Sequence, residues 1–199
     1  AKKSTVDMVT MCQTTLFEKL PNREEKYKML KALQEACEGK MFLELEYSNA
    51  TMTLCKYMEE DNKAADATDI IQEIQIETYG SLTVRQKLEF ILYQMKLVLV
   101  RKDYVRCQIL SRKISRRHMS EKGLEELKIE FLKFMIRYYV HEKMTIDIAK
   151  SYQEIYDVMS AATEEDATRL GVTEDAKTKN FDNFVIYLLI CAHDTEKVE

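Results

Sequence analysis

One proline and four glycines punctuate 199 residues, and that scarcity of chain breakers constrains the fold more than any other feature. Strand ends and hairpins call on Gly, Pro, Asn and Asp at positions with special backbone angles. An all-β or doubly wound fold therefore has too few turn residues here. Charged residues make up 32% of the chain, and Leu, Glu, Lys and Met, which lose little side-chain freedom in a helix, are frequent. The predicted fold class is all-α.

Apolar residues spaced by three and four place one stripe along a helical face. Leu88, Ile91, Leu92, Met95, Val98 and Leu99 form such a stripe, and Val105, Ile109, Leu110 and Ile114 form a second after the polar break Arg101-Lys102-Asp103. Two antiparallel helices joined by a tight turn are expected. Upstream, Phe42, Leu45, Met52 and Cys55 precede the break Glu60-Asp61-Asn62, and Ala67, Ile70, Ile71 and Ile74 follow it. Downstream, Leu124, Leu127, Phe131, Met135 and Tyr138 precede His141-Glu142-Lys143, with Ile146, Ala149, Tyr152, Ile155 and Tyr156 beyond. The breaks recur about every 40 residues, within the range of two-helix repeats that stack into a solenoid.

The expected organisation is one helical-repeat array over 1–199, with pairs near 2–40, 41–78, 83–117 and 122–159 and an incomplete pair at 177–199. Pro21 breaks the first pair, because it cannot continue a helix or donate a backbone hydrogen bond. Gly80 suits a left-handed C-cap, and Ser81 or Thr83 a helix start. The acidic, threonine-rich segment Ser160 to Ala176 is expected to be the least ordered, with a short helix around Glu164 to Leu170. A last helix is predicted from Lys177 to Ala192, its face of Phe181, Phe184, Val185, Leu188 and Leu189 suited to burial between neighbours that include a following repeat. The uncapped run His193 to Glu199 and the non-methionine start at Ala1 read as those of a piece cut from a longer protein.

Most reaction classes need groupings that are missing. Four scattered glycines build neither a phosphate-binding nor a dinucleotide loop, so no cofactor is expected. His118, His141 and His193 are far apart and none has metal-ligand spacing to Cys or another His, so no metal is expected. Cys107 has Arg106, Arg112 and Lys113 nearby to lower its pKa, yet no base accompanies it, and a small core residue is the better reading. Glu59-Glu60, Glu125-Glu126 and Glu164-Glu165 read as solvated helix faces. Tyr138-Tyr139, Tyr152 and Tyr156 read as packing residues with hydroxyls at the rim. The chain is read as no enzyme and as having no small-molecule substrate.

A net charge of −4 argues against a general nucleic-acid partner. No apolar run approaches the ~20 residues that span a bilayer, so no membrane partner is expected. Cys12, Cys37, Cys55, Cys107 and Cys191 are odd in number and set in apolar surroundings, as reduced thiols of cytosol or nucleus are. The strongest local charge feature is Arg112, Lys113, Arg116 and Arg117, followed by His118. Cations at a helix C-terminus are favoured by the macrodipole. The functional rival is a docking patch for an acidic partner surface.

Some strings are more specific than composition. Ile70 through Ser81 (IIQEIQIETYGS), Lys102 through Ile114 (KDYVRCQILSRKI), and His141-Glu142 followed by Tyr152 and Ile155-Tyr156-Asp157 resemble the non-ATPase regulatory subunit 12 family of the proteasome regulatory particle lid. The resemblance covers most of the chain and is strongest from Ile70 to Asp157. It implies a right-handed α-solenoid of tetratricopeptide-like pairs leading into a C-terminal PCI winged-helix module. It also implies a non-catalytic scaffold in ubiquitin-dependent protein degradation, contacting other lid subunits and neighbouring proteasome subunits in cytoplasm and nucleus. No winged-helix signal occurs before Glu199, and Ser160 to Ala176 fits the family pattern poorly. The alternatives are a PCI scaffold of the signalosome or of a translation initiation factor, and a solenoid adaptor that captures peptides in a groove.

Overall fold

The computed structural model describes residues 2–191, so Ala192 and the run His193 to Glu199 lie outside the described residues. Helices account for most of these residues, and no strand occurs among them. The chain divides into two compact units, Ala1–Arg101 and Lys102–Glu199.

In the first unit, α1 (Lys2–Met11) runs through a π-helical segment, Cys12–Leu16, into a last turn, Phe17–Lys19. Leu20 is extended, at φ −70° and ψ 123°, as expected for a residue whose α conformation would clash with the Pro21 ring. There follow α2 (Arg23–Cys37), a 3-10 turn at Met41–Leu43, α3 (Glu44–Glu60), α4 (Ala64–Ile71), a 3-10 turn at Ile76–Thr78 and α5 (Val84–Val100). Consecutive helices pack on one another from α2 to α5, and α1 lies against α3. Val9, Cys37 and Leu43 form a small core that Val6, Leu33 and Tyr47 close.

Helix α5 is buried on nearly every side. The consecutive residues Phe90, Ile91, Leu92, Tyr93, Gln94 and Met95 are all buried, a pattern that belongs to a central rather than a surface helix. The Gln94 side-chain amide donates to the Ile71 and Ile74 carbonyls at 2.7 and 3.0 Å, tying α5 to the end of α4 and to the loop just beyond it. Thr83 starts α5 with a capping box. Its hydroxyl accepts from the Gln86 amide, while the Gln86 side chain accepts from the Thr83 amide at 2.9 Å. Gly80 is not the left-handed residue of this junction: the positive-φ glycines are Gly39, Gly123 and Gly171. Ser81 is held instead by Glu44, whose carboxylate accepts from its hydroxyl at 2.8 Å.

The second unit comprises α6 (Tyr104–Lys113), a 3-10 turn at His118–Ser120, α7 (Glu125–Glu142), α8 (Thr145–Ala161), α9 (Glu164–Leu170) and α10 (Glu174–Ile190). Helix α7 packs on α6 and α8, and α8 packs most extensively on α10. Tyr152 stacks on Tyr187 with ring centres 5.9 Å apart, and Tyr156 meets Phe181 at 5.4 Å. The acidic segment holds α9 between two caps: Thr163 accepts from the Asp166 amide, and Gly171 is left-handed. The last helix starts earlier than Lys177 because Thr173 caps it, accepting from the Ala176 amide at 3.1 Å.

Two apolar stripes are covered only in part among the described residues. On α10 no residue before Cys191 is fully buried; Phe184, Val185 and Leu188 are half-buried, and Phe181 and Leu189 are exposed. On α6, Leu110, Ile114 and Cys107 are buried, whereas Val105 and Ile109 are 72% and 53% exposed. Apolar spacing marks a helix face, but a face is buried only where another element covers it. The same fold class follows in each unit: all-α, built as a helical repeat of packed neighbouring helices.

Candidate docking surface

Between Tyr104 and Ser120 every formally charged side chain is basic: Arg106, Arg112, Lys113, Arg116 and Arg117. Asp103 opens this run by capping α6, its carboxylate accepting from the Arg106 amide at 3.0 Å. Buried Cys107, Leu110, Ile114 and Met119 pin the segment to the unit. Arg112 and Lys113 occupy the last turn of α6, and the helix ends at Ile114 with φ −86° and ψ 117°. The macrodipole therefore accounts for these two cations. It does not account for Arg116 and Arg117, which lie past the helix end and are exposed.

Arg116 also reaches the rim of a pocket of about 230 Å³ between α7 and α8. Its floor is Met119, Phe131, Leu132 and Met135, all buried. Lys128 and Tyr139 complete the α7 wall, and Asp147, Lys150, Ser151 and Glu154 form the α8 wall. The helical repeat explains both walls: the α7 positions lie three, four, seven and eleven residues beyond Lys128, and the α8 positions three, four and seven beyond Asp147, so each set shares one face. Lys128 lies 3.6 Å from the Glu154 carboxylate. The Ser151 hydroxyl donates back to the Asp147 carbonyl at 2.7 Å. Burial, then the Asp147 charge, raises the Tyr139 hydroxyl above its ordinary value. The pocket thus combines an apolar floor with a charged rim. Sequence reasoning found the basic run and read Tyr139 as a packing residue, but did not single out Lys128 or Lys150, whose common signal is only their helical spacing.

The other candidates are taken up by structure. Cys107 is fully buried, and burial, then the Asp103 charge, pushes its thiol up to about 11. Cys55 is pushed up to about 12 by burial and then by Glu59. Neither supplies a thiolate near neutral pH. His118 is exposed on its 3-10 turn, while His141 stacks on Tyr104 with ring centres 3.7 Å apart. His193 lies outside the described residues. Among the described residues, no three His, Cys, Asp or Glu side chains come together as a metal site, and no helix is long and apolar enough to cross a membrane.

The acidic pairs are not all solvated faces. Glu59 accepts from the Tyr93 hydroxyl and pairs with Lys96 at 2.9 Å. Glu60 pairs with Arg23 at 2.8 Å. Glu125 accepts from the Gly123 amide at 3.0 Å and meets Arg169 at 3.1 Å, and the Gly123 bond is the main reason its carboxyl titrates below the ordinary range. Tyr138 is buried, with its ring 5.5 Å from that of Tyr139.

Residues 1–164 match the family described as PSMD12/CSN4, N-terminal. The chain is 32% identical over 180 residues to the 26S proteasome non-ATPase regulatory subunit 12 of Dictyostelium discoideum, an alignment covering 90% of this chain and 38% of the relative. It is 34% identical to the subunit 12 homolog A of Arabidopsis thaliana, across 79% of this chain and 41% of the relative. Identity to the 26S proteasome regulatory subunit RPN5 of Saccharomyces cerevisiae is 31%, across 81% of this chain and 34% of the relative. The chain thus spans well under half the length of these curated relatives. With a match that covers most of its length, this chain belongs to the PSMD12/CSN4 N-terminal family.

Proposed function

We propose that the chain is the helical-repeat region of a non-catalytic scaffold subunit in the lid of the proteasome regulatory particle, serving ubiquitin-dependent protein degradation. The observation that carries this reading is the similarity to curated relatives named as regulatory subunits of the 26S proteasome. Burial of Cys55 and Cys107 and the raising of their thiols support a role without nucleophilic catalysis. Stacked helix pairs expose long surfaces for partners, and Arg112, Lys113, Arg116 and Arg117 form the docking patch of this reading. Its partners are other lid subunits and neighbouring proteasome subunits, met in cytoplasm and nucleus.

The family description also names a second member type, CSN4, which favours a signalosome scaffold as the rival reading. Affinity purification of the endogenous full-length protein, followed by mass spectrometry, separates them. Lid subunits and the 26S particle are expected in stoichiometric recovery. Recovery of signalosome subunits without lid subunits would overturn the proposal.

A further inference from the structure

We infer that the pocket between α7 and α8, with the basic run at its mouth, docks an acidic segment of a partner protein that inserts one large apolar side chain. The inference rests on the scaffold reading only in taking a protein segment as occupant. The floor supplies the apolar half: Met119, Phe131, Leu132 and Met135 line it, and each is at most 8% exposed. An apolar cavity of ~150 Å³ accommodates a benzene ring. About 230 Å³ therefore has room for a leucine, methionine or phenylalanine side chain.

Charge sets the sign of the flanking residues. Arg116, Lys128 and Lys150 stand at the rim against Asp147 and Glu154, and Lys128 already sits beside Glu154. Next to the rim the chain itself is of one sign. Exposed Arg112 and Arg117 flank Arg116 in a segment that carries no acid from Tyr104 to Ser120. A chain of net charge −4 concentrates cations here, and complementary fields steer and orient an acidic partner. An anchor in an apolar pocket ringed by charge is the common form of an interaction hot spot. A basic segment would face repulsion, and a small anion would leave the floor uncovered.

The experiment uses the whole chain and a fluorescein-labelled peptide, Glu-Asp-Glu-Leu-Leu-Asp-Glu, read by fluorescence anisotropy. Two controls accompany it: the same peptide with Ala for both Leu, and one with Lys for every acid. Saturable binding of the first is expected, weaker by about tenfold on loss of the leucines or of the acids. The doubly substituted Arg116→Glu, Lys150→Glu chain is expected to bind about tenfold less, and Arg117→Glu alone severalfold less. Circular dichroism checks that each variant keeps its helix content. Equal binding of the Ala peptide, full displacement by pyrophosphate, or unchanged affinity in both variants would overturn the inference. Co-purification with the proteasome can succeed or fail independently of this result, so the two readings are tested apart.

Discussion

Tyr93 on α5 donates its hydroxyl to the Glu59 carboxylate on α3 at 2.7 Å, while Lys96 Nζ pairs with the same carboxylate at 2.9 Å. One carboxylate thus ties two helices that are not neighbours in sequence. Burial, then the hydrogen bond to Glu59, raises the Tyr93 hydroxyl well above its ordinary value. Tyr93→Phe keeps the ring packing and removes only the bond. Hydrogen bonds to charged groups contribute about 1.5–3 kcal/mol when buried, and the partial exposure of Glu59 lowers this to roughly 1–2 kcal/mol. Urea unfolding of Tyr93→Phe is expected to show that loss. Glu59→Gln, which still accepts but carries no charge, is expected to lose less.

The buried thiols set an alkaline limit on stability. Cys55 and Cys107 are pushed up to about 12 and about 11 from an ordinary value of 9.0, chiefly by burial. In the unfolded chain they ionise near pH 9; in the folded chain they stay protonated. Their contribution is therefore fully present below pH 9 and is lost as the pH rises from 9 toward 11 and 12. Under reducing conditions, the unfolding free energy is expected to fall by about 1 kcal/mol per thiol between pH 8.5 and 10. Cys55→Ala should remove its own share of that fall, about 1 kcal/mol, while Cys107 and Cys37, the latter also raised by burial, keep theirs. A native-state thiol assay should label half-buried Cys12 quickly and the buried Cys37, Cys55, Cys107 and Cys191 only on opening.

Thr83 carries the capping box of the most buried helix. Thr83→Ala removes the acceptor for the Gln86 amide and is expected to cost about 1 kcal/mol, whereas Thr83→Ser should be near neutral. Thermal unfolding of the two variants provides the comparison. Equal loss in both would point to the methyl group rather than the hydroxyl.

These residues show why parts of the fold could be read in advance and others could not. Helices α3 and α7 end where Asn62 and Lys143 turn left-handed, within polar breaks that the sequence displays directly. Thr163 and Gly171 likewise bracket α9 with residues whose local chemistry suits the two ends. Gly80 misled because glycine permits a left-handed backbone without requiring it. Val105 and Ile109 misled for another reason: periodicity identifies a face but not its cover. Arg112, Lys113, Arg116 and Arg117 were visible as a run, yet the pocket beside Arg116 arises from packing α7 on α8, which no local pattern encodes.

Lys143 ends α7 in a left-handed conformation, at φ 59° and ψ 32°. Its amide donates to the Val140 carbonyl at 3.3 Å, and the Met144 amide donates to the Tyr139 carbonyl at 3.0 Å. That pair of bonds is a Schellman cap, which glycine fills most readily. A side chain in this region crowds its own backbone and costs roughly 1–2 kcal/mol. Glycine relieves the crowding but adds freedom to the unfolded chain, which takes back part of the gain. Because Lys143 is exposed, Lys143→Gly forfeits little packing. It is expected to stabilise the chain by about 0.5–1 kcal/mol, read as a higher urea midpoint with unchanged denaturant dependence. Lys143→Asn should fall between the two, since asparagine tolerates the left-handed region better than lysine does. Lys143→Val, with a branched β-carbon, should destabilise instead. An order other than Gly, Asn, Lys, Val would show that the cap is not what limits this helix end.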